Sequence, residues 1–77
     1  MIKVRFFGPL RLDTGIKSLE TGAGDIKELL RNAEAASKIP AGTLKYCNIF
    51  VNNRKIKSNE KLHDGDEVML LMPFRRG

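Results

Sequence analysis

The sequence predicts an α+β fold in which a single mixed sheet of four to five strands carries one main helix across one face. Three observations lead there: strand-like alternation at the start with a nearly unbroken apolar run near the end, one amphipathic stretch in the first half, and turn signals that divide the remainder into short segments. In the first segment Ile2, Val4 and Phe6 share one face and Lys3, Arg5 and Phe7 the other, the period-two pattern of a half-buried strand. Gly8-Pro9 breaks it, and a weaker strand is expected from Ile16 to Glu20, after the turn-prone Asp13-Thr14-Gly15. Asp25 followed by Glu28 is a capping-box pattern at a helix start. Ile26, Leu29, Leu30 and Ala33 then recur at i, i+3, i+4 and i+7 as one apolar stripe. Pro40 disfavours helix at the residue before it, so this helix should end near Ala36 or Ser37.

Pro40 to Lys45 reads as a loop or a single helical turn, and Tyr46 to Val51 as a strand. Asn52-Asn53 is a tight-turn pair that tolerates positive φ, after which Arg54 to Lys57 is polar enough to form a short edge strand. Asp64-Gly65-Asp66 turns the chain into a last strand, Glu67 to Met72. That strand is apolar on both faces, with Val68, Leu70 and Met72 on one side and Met69 and Leu71 on the other, as befits a central position. One helix covers one face only. Met69 and Leu71 are therefore expected to be exposed, joined by Phe7 if the first and last strands are neighbours, and together to form a docking patch. The alternative is that loop 38–45 covers this face.

Beyond the domain at 1–72, residues 73–77 read as a flexible tail, because Pro73 cannot donate to a strand ladder and Arg75 and Arg76 favour solvent. Gly77 at its tip is a chemical handle whose carboxylate can enter another protein's active site where a bulkier residue would clash. Ordinary fraying of a chain end is the competing reading.

Seventy-seven residues leave little room for an enclosed catalytic pocket, which disfavours an enzyme acting alone. No apolar stretch approaches the roughly 20 residues needed to cross a bilayer, and the first residues do not form a signal-peptide core, so a cytoplasmic protein without membrane association is expected. The single Cys47 permits neither an internal disulfide nor a cysteine-based zinc site, and its apolar neighbours favour an inert, partly buried thiol over a reactive one. The net charge of +5 invites a nucleic-acid reading, but no basic block is longer than two residues. Such spacing suits a solvated surface or an acidic protein partner better.

Three motifs are set aside. Asp64-Gly65-Asp66 with Glu67 lacks the further ligands of a calcium loop, and His63 has no second histidine or nucleophile to complete a metal site or triad. Gly22-Ala23-Gly24 before the helix lacks the remainder of a phosphate-binding motif. No metal or intrinsic cofactor is expected.

Val4-Arg5-Phe6-Phe7-Gly8-Pro9-Leu10-Arg11, the helix opening Asp25-Ile26-Lys27-Glu28-Leu29-Leu30, Val51-Asn52-Asn53, Leu62-His63-Asp64-Gly65-Asp66-Glu67-Val68 and the glycine terminus occur in an order that resembles the ThiS/MoaD sulfur carriers of the ubiquitin-like β-grasp fold. The Phe6-Phe7 pair is closer to the molybdopterin-synthase small-subunit branch than to the thiamine branch. The resemblance implies a carrier rather than a catalyst. An adenylating activating enzyme of the MoeB/ThiF kind would use ATP and magnesium to adenylate Gly77, and a sulfur donor would convert the acyl adenylate to a thiocarboxylate for molybdenum cofactor biosynthesis. The large subunit of molybdopterin synthase would be a second partner. Phe7, Met69 and Leu71 would dock the body, while residues 72–77, with Phe74, Arg75 and Arg76 as partner contacts, would thread into the partner's channel. The family usually ends Gly-Gly, whereas this chain ends Arg76-Gly77. Alternative roles are a ubiquitin-like protein modifier, a carrier for tRNA thiolation or thiamine, and a non-catalytic β-grasp binding module.

Overall fold

Alternation along Ile2–Phe7 sets the first strand, β1, which buries Ile2, Val4 and Phe6 and exposes Lys3 and Arg5. The computed structural model describes residues 1–72; the expected tail at 73–77, with Phe74, Arg75, Arg76 and Gly77, lies outside the described residues. After β1 the chain does not simply break at Gly8-Pro9 but enters a short helix, α1 (Pro9–Thr14). Gly8 turns the chain at φ 69, and Pro9 is pre-set for a first helical turn. Arg11 and Leu12 N–H groups both bond the Gly8 carbonyl, at 3.1 and 3.4 Å. Left-handed Gly15 closes the helix with its N–H on the Arg11 carbonyl, 2.9 Å away. Only Leu10 is buried, so there is no periodic stripe by which the sequence could announce this element.

The second strand, β2 (Ser18–Thr21), begins two residues later than expected. Helix α2 (Ile26–Ser37) follows with Ile26, Leu29 and Ala33 buried, as the stripe requires. The Asp25 Oδ1 accepts the Glu28 N–H at 2.9 Å. Glu28 Oε1 in return accepts the Gly24 N–H at 2.7 Å, one residue before the usual partner of a capping box. Lys38 ends the helix in the left-handed region.

Beyond it a 3-10 turn, Thr43–Tyr46, drops Leu44 into the core at 0% exposure. The buried Glu34 carboxylate on α2 holds that turn by accepting the Leu44 N–H at 2.9 Å. Because Tyr46 is spent on the turn, β3 runs only over Asn48–Val51. Asn52 and Asn53, at φ 50 and 70, form the tight turn to β4 (Arg54–Ile56), a conformation that asparagine tolerates. Gly65, at φ 91, shapes the later turn into β5 (Glu67–Leu71).

The sheet order is β2-β1-β5-β3-β4. β1 and β5 run parallel at the centre, with Val4 opposite Val68 and Phe6 opposite Leu70. β2 pairs antiparallel with β1, and β3 antiparallel with both β5 and β4. α2 and Leu44 pack with the inward-facing side chains of β1, β3 and β5 in one core cluster. Loop 38–45 therefore belongs to the helix side and does not shield the outer face of the last strand.

Two stability outcomes follow from the caps. Glu34→Ala strands the buried Leu44 N–H and should cost about 1–3 kcal/mol in urea unfolding, while Glu34→Gln, which keeps an acceptor, should cost less. The Glu28 backbone N–H, first among several groups, holds the Asp25 carboxyl below its ordinary pKa. A depressed carboxyl pKa stabilises the fold above the unfolded-state value and loses that contribution as pH falls through the folded value. Asp25→Ala should accordingly lower the melting midpoint at neutral pH by about 4–8 °C, and the gap from wild type should close on acidification below the usual carboxylate range.

Candidate functional site

Strand alternation and sheet order bring separate parts of the sequence together on the face away from α2. Arg5, Met69 and Phe50 stand abreast on β1, β5 and β3, and Phe7 stands opposite Leu71. Phe7, Phe50, Met69 and Leu71 line one depression of about 340 Å³. Leu71 is 38% exposed and the other three are partly exposed. Phe7, Met69 and Leu71 are the three side chains the sequence nominated. Phe50 escaped that reading because its place beside Met69 depends on the β3–β5 register, although its alternation against Ile49 and Val51 marks it as outward-facing.

Gly8 fixes the end of this patch. A Cβ on Gly8 would sit 3.2 Å from Leu71 Cδ1 and 3.7 Å from the Met72 carbonyl oxygen, and the positive φ is itself unfavourable for other residues. Leu71 and the exit of β5 thus lie directly against the turn after β1. The rim is polar: Arg5 Nη1 lies 3.1 Å from Glu67 Oε2, and Lys55 stands opposite Phe50. On the other flank Lys3, Arg5, Arg11 and Lys17 line a recess shared with Phe7. An apolar centre inside a charged rim is the anatomy of a protein-docking surface.

The acidic turn before β5 does structural work. Asp66 Oδ2 accepts the His63 N–H at 2.8 Å and Oδ1 accepts an Asn52 side-chain N–H at 3.0 Å, which lowers the Asp66 pKa. Asn52 Oδ1 in turn accepts the Glu67 N–H at 3.0 Å, tying the β3–β4 turn to the start of β5. Among the described residues no group of His, Cys, Asp and Glu is arranged to hold a metal ion. His63 is an exposed turn residue. Cys47 is partly buried, and burial first, then the Glu34 charge, pushes its thiol up to about 11. It is neutral at physiological pH, which removes the thiolate that nucleophilic chemistry requires. Among the described residues no helix is long and apolar enough to cross a membrane. Gly77, Phe74, Arg75 and Arg76, the remaining nominated residues, fall outside the described part of the chain.

Comparison with known proteins places this arrangement. A subunit of the molybdopterin-converting factor from Helicobacter pylori, solved as a complex of subunits 1 and 2, is 34% identical, with 99% of this chain and 97% of that one covered and a TM-score of 0.69. SAMP1 from Haloferax volcanii shares the fold at TM-score 0.80 with 18% identity, covering 99% and 98% of the two chains. A chain of the BexX/CysO complex from Amycolatopsis orientalis matches at TM-score 0.72 with 20% identity over 100% of both. No match was found among curated protein sequences. The mixed five-stranded sheet with one main helix is the ubiquitin-like β-grasp. With the ThiS family profile matching residues 4–75, the chain belongs to the ThiS family, whose members are small sulfur-carrier proteins.

Proposed function

We propose that this protein carries sulfur as a thiocarboxylate on Gly77 and delivers it in molybdopterin biosynthesis. The observation that carries the reading is the apolar patch of Phe7, Phe50, Met69 and Leu71 at the exit of β5, the strand from which the chain continues toward a terminal glycine. A carboxylate is a poor acyl donor. Attack of a Gly77 carboxylate oxygen on the α-phosphorus of ATP, held with magnesium by an activating enzyme, expels pyrophosphate and leaves an acyl adenylate. Hydrosulfide supplied by a sulfur donor then displaces AMP at the carbonyl carbon, and loss of the thioacid proton leaves the thiocarboxylate.

The body's task in this scheme is placement. Residues 73–77 extend at most about 17 Å from the end of the described chain, so a partner must grip the protein close to where the tail emerges. The patch lies at that point and is the surface on which we place both the activating enzyme and the large subunit that receives the sulfur. The H. pylori relative, found in a complex with its partner subunit, supports the molybdopterin assignment. Arg76 is the departure from the Gly-Gly ending, and we place its guanidinium in an acidic groove of the native activating enzyme, where charge-assisted bonds would hold it.

The test is ATP–pyrophosphate exchange with a purified candidate activating enzyme, together with mass spectrometry for oxygen-to-sulfur replacement at the C-terminus. Exchange and a thiocarboxylate mass are expected for the wild type, and neither after deletion of Gly77. Arg76→Gly should weaken exchange with the native enzyme by about tenfold, the loss of one charge-assisted contact. Inert wild type and Arg76→Gly proteins, or lysine conjugates in place of the thiocarboxylate, would refute the assignment. In a separate binding experiment Met69→Asp should weaken partner affinity by about a hundredfold, because it puts an unpaired charge at the centre of the interface, while the far-ultraviolet circular dichroism remains native.

A further inference from the structure

A second concavity lies on the other side of the sheet edge. Lys27 on α2, Lys45 on the 3-10 turn, Lys55 on β4 and Lys57 just beyond it line a groove of about 440 Å³. All four lysines are exposed, and no carboxylate lines the groove. Among the described residues none of the four is within ion-pair distance of an acidic side chain. Four lysines therefore surround one concavity whose own lining carries no counter-charge, the Asp25 carboxylate near Lys27 lying outside it. Its floor is apolar, with Ile26 and Ile56 buried and Leu30 and Ile49 partly buried. A dispersed basic surface needs no explanation, but a basic ring around an aliphatic floor is complementary to one kind of ligand: an anion with aliphatic side chains.

We propose that this groove binds an acidic peptide segment of a partner protein, with aliphatic residues seated on the floor and carboxylates against the lysines. A single-stranded nucleic acid fits less well, because its bases need aromatic stacking platforms and no aromatic residue lines the groove. Tyr46 is nearby, with the Lys45 ammonium 5.2 Å from its ring centre, but is not part of the lining. The groove meets the rim of the Phe7–Phe50–Met69–Leu71 depression only at Lys55, which stands opposite Phe50. The groove does not depend on sulfur chemistry at Gly77.

The experiment uses the full chain, isotopically labelled, titrated with a short peptide of alternating glutamate and leucine. Peptides of alternating glutamate and serine or lysine and leucine, and oligouridylate, serve as comparisons. Saturable amide shifts are expected at Lys27, Cys47 and Lys57, with slower alkylation of Cys47, the chain's single thiol and a lining residue. The glutamate–serine peptide should bind several-fold more weakly. Lys27→Glu combined with Lys57→Glu should weaken the glutamate–leucine peptide by about tenfold at low salt; if that variant fails to fold, Lys27→Gln with Lys57→Gln replaces it. Shifts centred on Phe50 and Met69, tighter binding of oligouridylate, or no saturable binding by the glutamate–leucine peptide would each overturn the proposal. Loss of ATP–pyrophosphate exchange alone would not, because that reaction reads Gly77 rather than the groove.

Discussion

The parallel pairing of β1 with β5 is the constraint on which the other elements depend. It sets Val4 against Val68 and Phe6 against Leu70, four side chains no more than 1% exposed at the middle of the sheet. Because parallel neighbours cannot be joined by a tight turn, everything between them is connection. Helix α2 lies within that connection and covers one face. The same pairing brings Phe7 beside Leu71, so the exit of the last strand and the aromatic end of the first share one surface. A shift of one residue in this register would turn Met69 and Leu71 inward and bring Val68 and Leu70 into water.

The two faces of the sheet obey different demands. The helix side is closed by aliphatic packing and by the buried Glu34, whose carboxylate satisfies a backbone donor that would otherwise be stranded beside Leu44. The other face is laid out as a charged rim around an apolar centre, with Arg5 and Glu67 paired next to Met69. Leaving Leu71 exposed forgoes some hydrophobic stabilisation. A partner that covers it recovers the same term as binding energy.

Most of the fold was legible in residue pattern because its signals are local. The α2 stripe, the Asp25 cap, the Asn52-Asn53 turn and the alternation of β1 each reside within a few neighbouring residues. The prominence of Met69 and Leu71 could be inferred from the hydrophobicity of β5 on both faces combined with a single covering helix. What escaped was of two kinds. Helix α1 depends on Gly8 and Pro9 geometry and buries one residue, too little to leave a periodic trace. Phe50 and the lysine groove are products of cross-strand register and of segments distant in sequence, which no local pattern encodes.

The central parallel pair also governs when the protein can fold. Of the five strands β1 leaves the ribosome first and its interior neighbour β5 last, so Ile2, Val4 and Phe6 wait without their main partners while the strands between are made. Contacts this distant in sequence slow folding and leave an apolar strand open to wrong pairings in the meantime. Alternating Lys3 and Arg5 with the apolar residues keeps the waiting strand charged, which discourages edge-to-edge association. Closure of the sheet thus waits for the last of the five strands, and the apolar patch of Phe7, Phe50, Met69 and Leu71, which needs both central strands, exists only once that strand is in place.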